Sequence, residues 1–236
     1  MKYQDKFWEK YFHYYDTLLE VIPYQNLFKR IVKKLQIKSK HKILDLGSGT
    51  GNLQYFLPEN IDCISLDYSN EALIRLKEKF PNSTTFKHPL QERLPFDDNT
   101  FDRIVSNNVL YTLAKDEWQF IVSEIKRISK PNAIVVISNL NTNFNAFKIY
   151  LDHIKSYIKK SGIVKTLRHL TKLIYPTLQI VRFNKIIKNN NNEGNYYFIN
   201  SVEQKDIFEQ SGLLSVCDSE LVYSNQAIMD VFVNKK

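Results

Sequence analysis

The chain has 236 residues, 43% of them hydrophobic, which is enough to bury a sizeable core, and one domain is the default at this length. No run of about 18 apolar residues occurs, the first six residues lack the apolar core of a signal peptide, and Cys63 and Cys217 form no metal-binding pattern. Spanning, secreted and metal-stapled classes are therefore disfavoured, and a reducing cytoplasmic setting is expected. The formal charge of +8 comes from residues 141–195, where ten Lys and Arg meet only Asp152 and Glu193. The basic character thus describes one segment and not the whole chain.

In chain order, residues 5–35 read as one or two amphipathic helices, with Phe7, Tyr11, Tyr14, Leu18, Val21 and Ile22 at near-helical spacing. Pro23 is expected to interrupt, and residues 26–35 to resume. An apolar run, Ile43, Leu44 and Leu46 around the single acid Asp45, predicts a first strand over 42–46. It ends in three alternating glycines, Gly47, Gly49 and Gly51. Glycine supplies unusual dihedrals and removes the Cβ that blocks close approach of a ligand. Residues 52–57 are read as a helix start whose free N–H groups face that ligand.

A second strand is expected over 62–66, followed by Asp67, then a helix over 70–80 capped by Ser69 or Asn70 and stopped at Pro81. Strands three to five are expected over 84–86, 101–106 and 133–138, with a helix over 115–129 stopped by Pro131-Asn132. The alternation implies a mostly parallel sheet with helices on both faces. Ligands in such sheets sit beyond the carboxyl ends of the strands, where Asp45, Asp67, the segment after Phe86 and Asn107 all fall.

From 141 to 195 the alternation stops. This stretch reads as helices interrupted by Gly162 and Pro176 and ending in a mobile asparagine-rich turn, 189–195. A helix over 202–210 and two strands, 213–223 and 227–233, close the chain.

The glycine spacing is not the G-x-G-x-x-G of dinucleotide binders. Asp45-x-Gly47-x-Gly49-x-Gly51 with Asp67 after the next strand resembles the class I S-adenosylmethionine-dependent methyltransferases of the small-molecule type. Leu94-Pro95-Phe96, the strand opening Phe101-Asp102, and Glu124…Arg127…Lys130-Pro131 resemble further elements of that family. The resemblance covers about residues 10–140 and 196–236. It implies an α/β, Rossmann-like seven-stranded sheet with an antiparallel final strand, helices on both faces and a helical lid insertion. It also implies a single domain, 1–236: a helical cap (1–38), a cofactor-binding core (39–140), a basic lid (141–195) and a closing helix and strand pair (196–236).

Position by position, the resemblance assigns S-adenosyl-L-methionine contacts to Tyr15, Asp45, Gly47, Ser48, Gly49, Gly51, Asp67, Tyr68, Leu90, Gln91 and Asn107. Asp45 matches the acid that holds the amino group, Asp67 the ribose clamp, and Tyr68 the adenine face. The acid that the family commonly places before Leu-Pro-Phe is absent, which leaves backbone near Leu90 and Gln91 for the adenine edge. The signatures of DNA base methylation are also absent.

No dedicated base stands out. His13, Tyr15 and His153 are candidates by type, with His169 beside them. The expected activity is in-line methyl transfer to a small molecule; a silent cofactor- or partner-binding module and an RNA methyltransferase are the alternatives. The basic segment is read first as a lid over an apolar or anionic acceptor, then as a helix resting on a membrane, with nucleic acid least favoured. No metal is expected.

Overall fold

The computed structural model describes residues 2–192 and 196–235. A helical cap comes first: α1 (Lys2–Tyr15), a 3₁₀ turn (Asp16–Glu20) and α2 (Ile22–Leu35). Pro23 opens α2 instead of interrupting it, because the first helical turn needs no amide from that residue. Eight strands then build one sheet: β1 (Lys42–Leu46), β2 (Asp62–Asp67), β3 (Thr84–Lys87), β4 (Phe101–Asn107), β5 (Ser129–Leu140), β6 (Leu213–Ser215), β7 (Glu220–Val222) and β8 (Ala227–Asn234).

The order is β3-β2-β1-β4-β5-β8-β6, with β7 also pairing β8. Pairing from β3 through β5 is parallel, and β8 runs antiparallel to β5, β6 and β7. The seven strands expected thus become eight. The segment read as one strand over 213–223 leaves the ladder at residues 216–219 and splits into β6 and β7.

Alternating side chains feed two apolar layers. Ile104, Val135, Ile137 and Phe232 pack on one face with Trp118, Ile121 and Ile125 of α4 (Trp118–Ile128) and Phe208 of α7 (Ser201–Gln210). Val105, Ile134, Val136, Met229 and Val231 pack on the other with α2. That period of two is what a sheet covered on both faces requires. Helix α3 (Asn70–Lys79) is capped by Ser69, whose side chain accepts from the Ala72 amide.

Two proline expectations are corrected. β5 begins at Ser129, and its register with β4 jumps from Phe101↔Ser129 to Arg103↔Ile134. Pro131 and Asn132 therefore sit in a bulge inside the strand, with Asn132 at φ 63°. Pro176 lies within an unbroken helix. The insertion is a hairpin of α5 (Ala146–Ser161) and α6 (Ile163–Asn192), broken only at Gly162. Thr166, Leu173, Ile180 and Ile187 are buried at seven-residue intervals along α6, which keeps it helical through the proline. Residues 189–192 continue that helix and are not a turn; 193–195 lie outside the described residues.

Candidate functional site

The chain runs outward from β1 through β2 to β3, then crosses back to β4. The reversal between β1 and β4 leaves a crevice at their carboxyl ends. Five buried polar atoms without a hydrogen-bond partner gather there: Asp45 Oδ2, Ser48 Oγ, Ser106 Oγ, Asn107 Oδ1 and Asn108 Oδ1. Unsatisfied buried polar groups are costly, and a cluster of them at one crevice is what a polar ligand relieves.

The glycine loop turns back onto β2. The Gly47 and Ser48 amides both donate to the Leu66 carbonyl, at 2.7 and 2.9 Å, and the Gly51 amide donates to the Ser48 carbonyl at 2.9 Å. The Gly49 amide donates to Asp67 Oδ2 at 2.8 Å, and Asp67 Oδ1 accepts from the Ser69 amide at 2.8 Å. The expected helix after Gly51 is only a 3₁₀ turn, Asn52–Phe56. The amides of Gly47, Ser48, Gly49 and Gly51 are thus taken up by β2, Asp67 and the loop itself, and the unsatisfied polarity at the crevice belongs to side chains.

The three glycines do different work. A Cβ on Gly47 would lie 2.3 and 2.4 Å from the two methyls of Val109. One on Gly49 would lie 3.1 Å from the Phe12 ring and 3.5 Å from the Tyr15 ring, so the end of α1 covers the loop. One on Gly51 would meet Leu76 of α3 at 2.6 Å. Gly51 thus serves helix packing and does not face the crevice.

Asp45 is buried on β1. Burial, and then the neighbouring Asp67 carboxylate, push its pKa up to about 8. Burial also raises Asp67, against the lowering by its backbone donors. Two carboxyl groups, one with an oxygen lacking any partner, define a place that favours a cation.

A cavity of about 180 Å³ opens from this crevice. Of the residues singled out in the sequence, Tyr15, Gly47, Gly49, Asp67, Tyr68, Leu90, Gln91 and Asn107 line it; Asp45, Ser48 and Gly51 lie behind that lining. His13, His153 and His169 do not reach it. His13 is exposed beside Arg75. His153 is buried in the hairpin, where its Nδ1 accepts the Ile22 amide at 3.2 Å.

The inner half of the cavity is aromatic, and most of it was not anticipated: Trp8, Tyr24, Tyr111, Phe144, Tyr150 and Tyr223. The Tyr24 hydroxyl donates to the Tyr15 hydroxyl at 2.8 Å. Burial raises both phenols well above the ordinary value, so they stay protonated at neutral pH. From Tyr24 the contacts lead outward through Asn52 to Thr50, and on to Asp16, where Lys79 pairs at 2.8 Å. That chain fastens the helical cap to the glycine loop. Among the described residues lining the cavity there is no Lys, Arg or His, and Asp67 is the one carboxylate.

The loop beside Leu90 is held from below. Arg127 forks onto Glu124 and also donates to the Leu94 and Phe96 carbonyls, while Glu124 accepts the Leu94 amide at 2.8 Å. The Glu-x-x-Arg pattern is therefore a brace for the Leu-Pro-Phe turn.

Residues 44–137 match the model of a methyltransferase domain family. An uncharacterised methyltransferase of Synechocystis sp. is 30% identical over 115 residues, 48% of this chain and 54% of that protein. The match thus spans about half of that relative's length. The demethylmenaquinone methyltransferase of Staphylococcus aureus is 26% identical over 212 residues, 86% of this chain and 81% of the relative. Among solved structures, the 1,6-didemethyltoxoflavin-N1-methyltransferase of Burkholderia thailandensis, determined with its substrate and S-adenosylhomocysteine, superposes with a TM-score of 0.60. It shares 14% identity and covers 94% of this chain and 82% of its own, a likeness of fold.

Proposed function

We propose that this chain, whose residues 44–137 match a methyltransferase domain family, is a class I S-adenosylmethionine-dependent methyltransferase and methylates an uncharged, ring-bearing small molecule held in the aromatic half of the cavity. One observation carries this reading. A single cavity joins the crevice bordered by Asp67 to a chamber walled by aromatic rings, with no cation among its described lining residues.

The donor fits the crevice on its chemistry. It is cationic and polar, and the crevice offers a buried carboxyl oxygen without a partner, a second carboxylate and unsatisfied side-chain amides. Asp67 keeps lone pairs beyond those used by Gly49 and Ser69, and in this reading they take the ribose hydroxyls. Asp45 holds the cationic amino end, Tyr68 lies along the adenine, and Leu90 and Gln91 border its edge. When bound, the donor supplies a methyl group on a positively charged sulfur that leaves as a neutral thioether.

The protein's own task is placement and exclusion of water. Orientation of this kind is worth up to roughly 7–11 kcal/mol of the barrier. Tyr15 and Tyr24 hold and orient an acceptor oxygen or nitrogen by hydrogen bonding; with pKa values so far above neutrality they are not bases. The absence of a lining cation favours an apolar over an anionic acceptor. Two of the similar proteins are named for methylating demethylmenaquinone and 1,6-didemethyltoxoflavin, which supports a small-molecule acceptor.

The test is transfer of a labelled methyl group to a panel of uncharged phenols, quinols and heterocycles, with carboxylated analogues beside them. Label is expected in the uncharged set. Transfer confined to the carboxylates would overturn the acceptor class. Phe144→Glu, which puts a charge into the chamber, is expected to stop transfer while leaving donor binding intact by calorimetry.

A further inference from the structure

The outer surface of the hairpin formed by α5 and α6 is apolar to a degree the fold does not require. Phe147, Leu151 and Ile158 on α5 are exposed, as are Ile163, Leu167, Ile174, Leu178 and Val181 on α6, with Val164 beside them at 81%. On α5 the spacing is i, i+4, i+11. On α6 it begins with the same spacing and continues for two more turns. At 3.6 residues per turn, each set falls within about 60° of arc. These are second stripes, separate from the buried residues Ile149 and His153 of α5 and Leu173, Ile180 and Ile187 of α6.

Both stripes leave the hairpin on one side. The helices are antiparallel, since Tyr157 stacks on His169 at 4.1 Å and Tyr150 bonds to Thr177. In each helix the exposed stripe lies about a quarter turn beyond those contacts, away from the core-facing residues. Exposed cations flank the stripes: Lys148, Lys155 and Lys159 on α5, and Arg182 and Lys185 on α6.

We propose that this face rests on an anionic lipid surface, with the apolar stripes at the acyl boundary and the lysines and arginines at the headgroups. Charge complementarity selects this occupant. A second copy of the chain would bring two faces of the same strong positive charge together. A nucleic acid would satisfy the cations but leave the aliphatic stripe against water, since among the described residues Phe147 and Tyr175 are the exposed aromatics of the hairpin. A bilayer with acidic headgroups satisfies both parts at once. Among the described residues no helix is long and apolar enough to cross a membrane, so the contact is with the surface. The inner face of the same hairpin contributes Ile149, Tyr150 and Ile180 to the cavity, which sets the chamber directly beneath the contact.

Vesicle co-sedimentation of the full chain tests this. Binding is expected to vesicles of mixed phosphatidylcholine and phosphatidylglycerol, and not to phosphatidylcholine alone. Leu167→Glu combined with Ile174→Glu and Leu178→Glu is expected to abolish it. Lys155, Arg182 and Lys185 changed together to Ala should weaken it by about a hundredfold. Unchanged thermal midpoints and S-adenosylhomocysteine binding show that these variants remain folded. Failure of the wild type to sediment with anionic vesicles overturns the proposal. So does equal sedimentation with neutral ones, a concentration-dependent dimer that the glutamate variant abolishes, or RNA binding that competes the protein off the vesicles.

Discussion

The Gly49 amide donates to Asp67 across the tip of the glycine loop, 2.8 Å from nitrogen to oxygen, and so locks the end of β1 to the end of β2. The carboxylate has two functions in this arrangement: it fixes the loop, and in the proposed complex it takes the ribose hydroxyls. Asp67→Ala is expected to weaken donor and product binding by about a hundredfold, the worth of two hydrogen bonds to a charged group. Asp67→Asn keeps one acceptor oxygen and should lose about tenfold. Calorimetry measures both, and full donor affinity in the alanine variant would refute the assignment.

Asp45 gives the site a pH dependence. Its folded-state pKa of about 8 lies above the ordinary value, so in the free protein it carries a proton at neutral pH. A cationic ligand favours the ionised form, and binding therefore releases a proton. Affinity for S-adenosylmethionine is expected to rise with pH below about 8, by at most about tenfold per unit, and then to level off. Asp45→Asn should flatten the profile and bind more weakly at high pH. Titrations in buffers of different ionisation enthalpy count the proton; no proton released near pH 7 would contradict the coupling.

Two glycines with nearly the same φ are expected to respond very differently to alanine. At Gly47 the new Cβ meets both methyls of Val109, and a β-branched side chain has no rotamer that clears them. Gly47→Ala should cost about 2–4 kcal/mol through strain and overpacking. At Gly162, φ 79°, nothing lies within 4 Å, so Gly162→Ala adds only backbone strain, about 1–2 kcal/mol. Paired denaturant titrations decide it. Equal losses would mean that dihedral strain alone controls both sites.

The carboxylate end of the site was legible because its signal is local. Asp45, Gly47 and Gly49 fall within five residues, and Asp67 follows one strand later, so strand-helix alternation suffices to bring them together. The aromatic chamber was not legible. Tyr24, Tyr111, Tyr150 and Tyr223 come from four distant segments, and their meeting depends on how the cap, the hairpin and the β7–β8 turn pack. Only the abundance of tyrosine, 14 residues, hinted at it. Tyr11 and Tyr14 were read as part of one packing stripe; Tyr11 lines the chamber, while Tyr14 reaches Tyr175 of α6.

The local errors share one cause. Pro131 and Pro176 are breakers in isolation, yet a strand bulge absorbs the first and buried side chains at seven-residue spacing hold the helix through the second. Residues 52–56 have an apolar helical pattern, but only Asn52 and Leu53 are buried there, so nothing extends the 3₁₀ turn into a helix.

The hairpin should come loose from the cap in acid. His153 accepts the Ile22 amide through Nδ1, which requires the neutral ring, and its Nε2 and that of His169 are buried without partners. Burial, and then the neighbouring His169, lower its pKa to about 4. Between about pH 6.5 and 4 the unfolded chain binds the proton and the folded chain does not. Stability from this group is therefore complete above pH 6.5 and lost as the pH falls towards 4, by a few kcal/mol at most. Wild type and His153→Gln, which keeps an acceptor oxygen but cannot titrate, should differ little in thermal midpoint at pH 5. At pH 7.5 the wild type should be the more stable. A midpoint difference that stays constant from pH 7.5 to 5 would show that His153 does not control the acid lability of the hairpin.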